Sequence, residues 1–274
     1  MAITATEFNF IRTLVRERSA IVLEPGKEYL VESRLAIVAR DAGYASVEHV
    51  IAELRARGCT TLQKQVIEAM TTNETFFFRD VHPFDALRQS VLPELIRRRA
   101  AERRLTIWCG AASSGQEPYS IAMLLRERCP ELAGWQVRIL ATDISDEMLA
   151  RARAGRYGQV EINRGLPAPL LVKHFRKDGL EWQLSDEIRR MVEFRPLNLI
   201  DPWPALPAAD IVFLRNVLIY FDVETKRGIL GRVRRLLRPD GYLFLGGAET
   251  TMGIDDAFQR QQIGKAVCYR PSVQ

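Results

Sequence analysis

The chain has 274 residues, 47% of them hydrophobic and 27% charged, and a formal net charge of +5 at pH 7. This is the composition of an ordinary globular protein, and it excludes a membrane-spanning class, because no apolar run approaches the roughly 20 residues that cross a bilayer. Since the amino terminus also lacks the basic and apolar regions of a signal peptide, we expect a cytoplasmic protein that does not insert into membranes.

The basic and metal-ligating residues indicate neither a nucleic-acid partner nor a metal. The densest basic run, "RRRAAERR" at residues 97–104, ends a predicted helix, where arginines interact favourably with the helix dipole. No aromatic residues interleave with this run for base stacking. The four cysteines and three histidines are scattered, without the spacing of a zinc site or a redox dithiol. We expect reduced, mostly buried thiols and a monomer.

The first seventy or so residues predict helices only. "ATEFNFIRTLVRER" places apolar residues at helical spacing, and "EYLVESRLAIVARDAG" does the same until Gly43 stops it. "SVEHVIAELRARG" and "TLQKQVIEAMTTN" continue this pattern. We therefore expect an all-helical N-terminal subdomain over residues 1–75.

From about residue 104, apolar strands alternate with amphipathic helices. The predicted strands are "LTIWC", "VRILATD", "DIVFL" and "GYLFLGG", and helices are predicted at 118–128, 146–154 and 224–237. Strands buried on both faces with helices between them predict a parallel, doubly wound, Rossmann-like α/β sheet within a domain of residues 76–274. At "RPDG", residues 238–241, we predict a turn that closes the last helix, with Gly241 free to take a positive φ.

One stretch interrupts the α/β alternation. "PAPLLVKHF", "LEWQL" and "IRRMVEF" predict a short helix and small antiparallel strands around "KDG". We therefore expect a small antiparallel β insertion at residues 159–193.

The motif "GAASSGQEPYS", residues 110–120, lies in the turn after the first strand, where open α/β sheets bind ligands. Gly110 and Gly115 keep the spacing of a phosphate-binding loop, but Gln116 and Glu117 replace its lysine and hydroxyl residue. Asp143 ends the second strand, where a carboxylate can accept hydrogen bonds from a ribose diol. The combination predicts a nucleoside ligand.

Glu117 distinguishes between nucleosides by charge. A buried carboxylate would repel the phosphates of NAD or ATP, which disfavours a nicotinamide oxidoreductase. The sulfonium and ammonium groups of S-adenosylmethionine (SAM) would instead be attracted. Taken singly, each acid also has a simpler explanation, Glu117 in the first turn of a helix and Asp143 as an N-cap or turn residue. The order of strand, loop, helix, strand and acid is what favours SAM.

The segment "TTNETFFFRD", residues 71–80, is unusual for a linker, because Asn73, Thr75 and Arg79 flank three phenylalanines. A hydrophobic hinge explains some of the phenylalanines but not these polar residues. Together with "GAASSGQEPYSIA", "ILATDIS", "NLI" and "FLRNVLIYF", the segment resembles the chemotaxis receptor methyltransferases, the CheR family of protein-glutamate O-methyltransferases. The resemblance covers nearly the whole chain.

The resemblance implies transfer of a methyl group from SAM to glutamates in the cytoplasmic helices of methyl-accepting chemoreceptors, with S-adenosylhomocysteine (SAH) as product. Arg79 and Tyr220 are implied catalytic residues, although Tyr220 could equally be a core aromatic beside Phe221. The implied cofactor-binding residues are Asn73, Thr75, Arg79, Glu117, Asp143, Asn198, Leu199, Arg215 and Asn216.

The resemblance also implies that the receptor docks on the helical subdomain. Arg34 and Arg40 are the candidate docking residues, but the neighbouring Ile37, Val38 and Asp41 make docking by charge attraction alone doubtful. The short connection "RKDG" in the insertion leads us to expect no dependence on a receptor C-terminal tether. A non-catalytic SAM-binding adaptor remains the alternative function.

Overall fold

The computed structural model describes residues 3–58 and 60–272, so Cys59 lies outside the described residues. The α-helices are α1 (Ala5–Ser19), α2 (Glu28–Asp41), α3 (Val47–Arg57), α4 (Thr60–Met70), α5 (His82–Ala86), α6 (Leu92–Arg98), α7 (Gln116–Arg128), α8 (Asp146–Ala154), α9 (Gln159–Asn163), α10 (Ala168–His174), α11 (Asp186–Arg189) and α12 (Val223–Leu236). The strands are β1 (Arg104–Gly110), β2 (Gln136–Asp143), β3 (Arg156–Gly158), β4 (Phe175–Asp178), β5 (Glu181–Leu184), β6 (Val192–Pro196), β7 (Ala209–Leu214), β8 (Leu237–Leu245), β9 (Phe258–Ile263) and β10 (Ala266–Pro271). None of the described helices has the length and apolar character needed to cross a bilayer.

The chain divides into two compact units. The helical unit comprises residues 1–72 with 220–225, and the α/β unit comprises residues 73–219 with 226–274. The predicted domain boundary at residues 75 and 76 stays a prediction.

The helical unit is built from α1 to α4, as the apolar spacing predicts. A capping box begins α1, in which the Thr4 hydroxyl accepts a hydrogen bond from the Glu7 backbone N–H and the Glu7 carboxylate accepts one from the Thr4 backbone N–H. The residues predicted at helical spacing on α1 are buried: Phe8, Ile11, Leu14 and Val15. Their burial against apolar side chains of α2, α3 and α4 forms the core of this unit.

Arg34 connects α2 to the end of α4 inside the helical unit. Its Nη1 donates to the carbonyls of Ala69 at 3.1 Å and Thr71 at 2.9 Å, and its Nη2 donates to Thr72 Oγ1 at 3.4 Å. Cations at the carboxyl end of a helix are favoured by the helix dipole. Burial lowers the pKa of Arg34. Arg34 therefore has a structural role of its own in this unit.

The α/β unit is built on a seven-stranded sheet of order β6-β2-β1-β7-β8-β10-β9. The pairs from β6 to β8 are parallel and the last two are antiparallel. The chain moves from β1 to β2 in one direction and later adds β7 and β8 on the other side of β1, so the strand order reverses between β1 and β7. Ligands of doubly wound sheets bind at this switch point, beyond the carboxyl ends of the strands. The doubly wound prediction is confirmed.

A second sheet, of order β3-β5-β4, is antiparallel. It begins at Arg156, ahead of the predicted insertion, because β3 pairs with β5. The grouping of "IRRMVEF" with the small strands is wrong. Its residues Val192 to Phe194 start β6, which pairs in parallel with β2 at the edge of the large sheet. A short apolar segment has no local signal that assigns it to one sheet or the other.

The turn predicted at "RPDG" is also wrong, because residues 238–241 form the first half of β8. A register irregularity between Ala209 and Ile211 of β7 accommodates this extension. Gly241 does not have the predicted positive φ. A Cβ atom at Gly241 would instead lie 2.9 Å from the Asp210 carbonyl oxygen, so glycine is required by close backbone approach.

Candidate active site

The loop that follows β1 brings the chain close to α8 and β6. Gly115 has φ +92°, and a Cβ atom there would lie 3.0 Å from the Ala152 Cβ and 3.1 Å from the Tyr119 ring. Glycine is therefore required both for conformation and for space. Ala111 and Ser113 also have positive φ values, 55° and 49°. Strained backbone of this kind concentrates at functional sites.

Asp143 is held against this loop at the end of β2. Its Oδ2 accepts a hydrogen bond from the Ser113 backbone N–H at 2.7 Å, and its Oδ1 accepts one from the Ser145 N–H at 2.9 Å. The carboxylate is buried. The parallel pairing of β1 with β2 places Gly110 opposite Thr142, so the glycine loop and this acid meet at one edge of the sheet. Both predicted nucleoside-binding features therefore lie together.

Arg215, which follows β7, joins two acidic side chains. Its Nη1 donates to Glu117 Oε2 at 2.8 Å, and its Nη2 donates to Asp80 Oδ2 at 2.5 Å and to the Arg79 carbonyl at 3.1 Å. Two carboxylates outnumber one guanidinium, so this cluster is negative when both acids are ionised. Sequence reasoning selected Glu117 and Arg215 separately and missed both their pairing and the contribution of Asp80.

Burial dominates the titration of Glu117. Its removal from water raises its pKa above the ordinary value of 4.5, and Arg215 and Arg79 act in the opposite direction. The negative charge of Glu117 is thus balanced in part by cations. Glu117 is therefore not the isolated carboxylate that the sequence alone predicts beside the loop.

Glu249 organises the backbone after β7 and was missed by sequence reasoning. Its two oxygens accept hydrogen bonds from the N–H groups of Asn216, Val217, Leu218 and Ile219, at distances of 2.7 to 3.3 Å, and from Gly246 at 2.6 Å. Asn216 itself has φ 58°, in the left-handed region. The available signal was an acid two positions after the predicted strand "GYLFLGG", at the carboxyl edge of the same sheet.

Residues 73–80 contact the rest of the α/β unit through backbone and aromatic groups. The Asn73 carbonyl accepts a hydrogen bond from Ser113 Oγ at 2.9 Å, and Arg79 Nη1 donates to the Glu74 carbonyl at 2.9 Å. Phe77 is fully buried against Tyr157 and Phe175, within the α/β unit. Thr75 is half-buried in the same segment.

The loop after β6 runs along the end of β2. The Leu197 N–H donates to the Asp143 carbonyl at 2.9 Å, which places Asn198 and Leu199 directly beyond the predicted ribose-binding acid. Asn198 Oδ1 accepts a hydrogen bond from the Ile200 N–H at 3.3 Å, and Leu199 is buried. These two predicted cofactor residues therefore share an edge with Asp143.

Three predicted residues belong to the helical unit. Arg40 forms an exposed ion pair with Asp41 at 2.8 Å, and Arg34 is bound to the end of α4. The Tyr220 carbonyl accepts a hydrogen bond from the Val22 N–H at 3.1 Å. The docking role of the two arginines and the catalytic role of Tyr220 stay predictions.

Two buried polar atoms beside the end of β7 are available to a ligand. Among the described residues, neither Arg215 Nε nor Asn216 Oδ1 has a hydrogen-bond partner. One is a donor and the other an acceptor, and buried polar groups are normally satisfied. Within residues 3–58 and 60–272, no group of His, Cys, Asp and Glu side chains is arranged to hold a metal ion.

The switch point, the glycine loop, Asp143 and the negative cluster define a SAM-dependent methyltransferase, and comparison with known proteins agrees. The SAM-binding domain of the CheR methyltransferases matches residues 73–267, and their all-alpha domain matches residues 6–71. The chain belongs to the CheR methyltransferase family. This membership sets aside the nicotinamide oxidoreductase.

Three relatives match along nearly their whole length. Chemotaxis protein methyltransferase 1 of Pseudomonas aeruginosa is 42% identical over 275 residues, covering 98% of this chain and 99% of the relative. Chemotaxis protein methyltransferase Cher2 of Pseudomonas putida is 40% identical, covering 96% of this chain and 97% of the relative. A chemotaxis protein methyltransferase of Vibrio parahaemolyticus is 38% identical, covering 98% of each chain.

Proposed function

We propose that the protein transfers the methyl group of SAM to glutamate side chains in the cytoplasmic helices of chemoreceptors, and that it serves chemotactic adaptation. The names of the three relatives support a role in chemotaxis. The observation that carries the choice of ligand is the Glu117–Arg215–Asp80 cluster beside the glycine loop, in which Glu117 and Arg215 are buried. Its excess of carboxylates favours a positively charged nucleoside over a phosphorylated one.

A glutamate substrate matches what this site provides. Bound SAM supplies a methyl group on a positively charged sulfur. The glutamate oxygen forms a bond to the methyl carbon while the carbon–sulfur bond breaks, the electron pair remains on sulfur, and the products are a methyl ester and SAH. Because the reference pKa of glutamate is about 4.3, the attacking group is ionised at neutral pH and needs no general base.

The contribution of the chain is therefore alignment and exclusion of water, and alignment alone can supply roughly 7 to 11 kcal/mol in favourable cases. In our proposal Asp143 accepts hydrogen bonds from the ribose diol, and Asn216 Oδ1 and Arg215 Nε bind polar groups of the cofactor. Asn73, Thr75, Asn198 and Leu199 line the same site.

Arg79 is proposed to orient a carboxylate. Its side chain is half-buried, its guanidinium lies 5.4 Å from the Phe76 ring centroid, and its charge acts to lower the pKa of Glu117. A planar guanidinium can bind a carboxylate through two parallel hydrogen bonds. A catalytic role is also proposed for Tyr220, on the resemblance alone.

The helical unit is proposed to dock the receptor. Arg40 is the better candidate contact, because its side chain is 75% exposed, whereas Arg34 donates its hydrogen bonds to the end of α4. Exposed Ile37, at 52%, lies on the same helix. This surface offers an apolar contact beside a charged one, which fits a helical partner better than charge attraction alone.

The test is incubation of the protein with methyl-labelled SAM and chemoreceptor-bearing membranes. We expect label in the receptor that is released as methanol by mild alkali, because glutamate methyl esters hydrolyse under these conditions and N-methyl groups do not. Label that resists alkali, or no transfer despite SAH binding, would overturn the proposal. An Asp143→Ala variant is the control, and we expect it to lose both SAH binding and transfer.

A further inference from the structure

A cavity of about 370 Å³ lies beside the carboxyl end of β8, next to the antiparallel pair of β9 and β10. Its lining includes Arg215, Glu249, Thr250, Arg260, Lys265 and Tyr269. Leu245, Gly246 and Ala266 add apolar and backbone surface. None of the residues assigned above to the cofactor contributes to it except Arg215.

The acidic groups of this cavity are already bound to other groups of the protein. Asp80 is paired with Arg215, and Glu249 accepts five backbone hydrogen bonds. Glu249 is therefore occupied by backbone donors, and the charge of Asp80, whose side chain is 48% exposed, is countered by Arg215.

Two cations remain available at the rim of the cavity. Arg260 and Lys265 are exposed, and within the described ranges neither forms an ion pair or a side-chain hydrogen bond. Arg260 lies directly opposite Tyr269 in the β9–β10 pairing, so both side chains project from the same face. Lys265 lies in the two-residue turn between Ile263 and Ala266. The rim thus presents an arginine fork and an ammonium group, which suit carboxylates.

The position of the cavity relates it to the acceptor rather than to the cofactor. The glycine loop and Asp143 lie at the ends of β1 and β2, on one side of the switch point. The cavity lies on the β7–β8 side, and Arg215 contributes both to its lining and to the cluster that contains Glu117. A group bound in the cavity would therefore be separated from the predicted ribose position by the negative cluster.

We propose that this cavity binds an acidic segment of the methyl-accepting protein, and that Arg260 and Lys265 bind carboxylates that neighbour the glutamate to be methylated. The inference rests on the proposed function, because it assigns the acceptor of that reaction to this side of the sheet. The ligand is an acidic peptide, recognised by an apolar floor and a basic rim.

The experiment compares two double variants of the full chain. Arg260→Gln with Lys265→Gln removes the basic rim. Arg97→Gln with Arg128→Gln is the matched control, since these exposed arginines end α6 and α7 just before β1 and β2, at the opposite edge of the sheet. Both variants lose two positive charges, so the long-range field changes equally.

The first measurement is the binding of a fluorescent peptide in which pairs of alanines alternate with pairs of glutamates. It is made without turnover. We expect about tenfold weaker binding in the rim variant, corresponding to about 1.4 kcal/mol, and no change in the control. SAH affinity should be unchanged in both. Equal peptide binding by the two variants, or no binding by the wild-type protein, would overturn the inference.

Receptor methylation is then measured with both variants. We expect the rim variant to raise the KM for receptor about tenfold with an unchanged kcat. A loss of kcat with unchanged KM would contradict a binding role. Absence of receptor methylation by the wild-type protein would instead overturn the proposed function, while the peptide measurement would still report on the cavity.

Discussion

Arg215 Nη1 lies 2.8 Å from Glu117 Oε2, although the two residues are 98 positions apart in the chain. The side chain of Arg215 is 1% exposed and that of Glu117 is 12% exposed. The ion pair joins the end of β7 to the first turn of α7, across the switch point at which ligands of this fold bind. We therefore expect Arg215 and Glu117 to affect both the stability of the fold and ligand binding.

Removal of Arg215 should be severely destabilising. Arg215→Met leaves Glu117 buried without its closest cation, and breaking a buried ion pair in this way costs about 3 to 5 kcal/mol. Urea unfolding measures the loss. The matched control is Arg126→Met, which breaks the ion pair with Glu187 on the surface, where both side chains are more than half exposed. That loss should stay below about 1 kcal/mol. Similar losses in the two variants would show that the burial of the Arg215 pair has no energetic consequence.

Glu249 should contribute to both stability and cofactor binding. Glu249→Gln removes the charge and one of the two oxygens that accept five backbone N–H groups. Unsatisfied buried donors cost about 1 to 3 kcal/mol, and since these donors are only partly buried we expect the unfolding free energy to fall by about 1 to 2 kcal/mol. Since Asn216 loses its backbone hydrogen bond, SAH affinity measured by calorimetry should fall too. Glu131→Gln, at an exposed position, is the control. Unchanged SAH affinity would refute the link to the site.

Much of the fold follows from the sequence, because apolar periodicity is a local property. The helix over residues 146–154 has the predicted bounds, and parallel strands necessarily bring the loop at Gly110 and the acid at Asp143 to one edge. The partner of Arg215 could not be predicted in the same way, because Glu117 lies 98 positions away in the chain and is brought near only by the tertiary fold. The position of Glu249 after a strand marks the edge of the sheet but not its partners, because four of these are backbone N–H groups 30 to 33 positions earlier in the chain.

Arg79 should be required for activity but not for folding. We expect Arg79→Ala to reduce receptor methylation at least a hundredfold with an unchanged melting temperature, since the side chain is half-buried and donates a hydrogen bond to the Glu74 carbonyl. Arg164→Ala is the matched control, because Arg164 also lies over the Phe76 ring, at 4.3 Å. That variant should keep its activity. Wild-type turnover in Arg79→Ala would refute the proposed role.

Low pH should weaken the ion pair between Arg99 and Asp240, which lies far from the site. Hydrogen bonds from Arg99 lower the pKa of Asp240 from 3.8 to about 2. Since the folded-state pKa is depressed, the stabilisation is fully present above pH 3.8 and is lost as the pH falls towards 2. At pH 7 it amounts to about 2 kcal/mol.

Urea unfolding of Asp240→Asn tests this assignment. The variant should be about 2 kcal/mol less stable than wild type at pH 7, and the difference should shrink between pH 4 and about 2. Asp41→Asn, which removes the exposed partner of Arg40, should cost less than about 1 kcal/mol. A difference for Asp240→Asn that does not change with pH would contradict the role of its ionisation.

Val81 occupies a strained position directly after the Asp80 that binds Arg215. Its backbone has φ 52° and ψ −52°, and the His82 N–H donates to the Asp80 carbonyl across it, which is a γ-turn of the rare positive-φ kind. Positive φ is a genuine outlier for a β-branched residue. Such strain costs on the order of 1 to 3 kcal/mol.

Val81→Gly should relieve this strain. Glycine costs about 0.5 to 1 kcal/mol in the unfolded state, and the lost side chain is 55% exposed, so we expect unfolding free energy to stay unchanged or rise by about 1 kcal/mol. Val172→Gly, in the middle of α10 and 83% exposed, is the control and should lose about 0.5 kcal/mol. If the strain serves the site, Val81→Gly should weaken SAH binding while stabilising the fold, because Asp80 then holds Arg215 less rigidly. A Val81→Gly protein that is less stable than Val172→Gly would show that the turn is not strained.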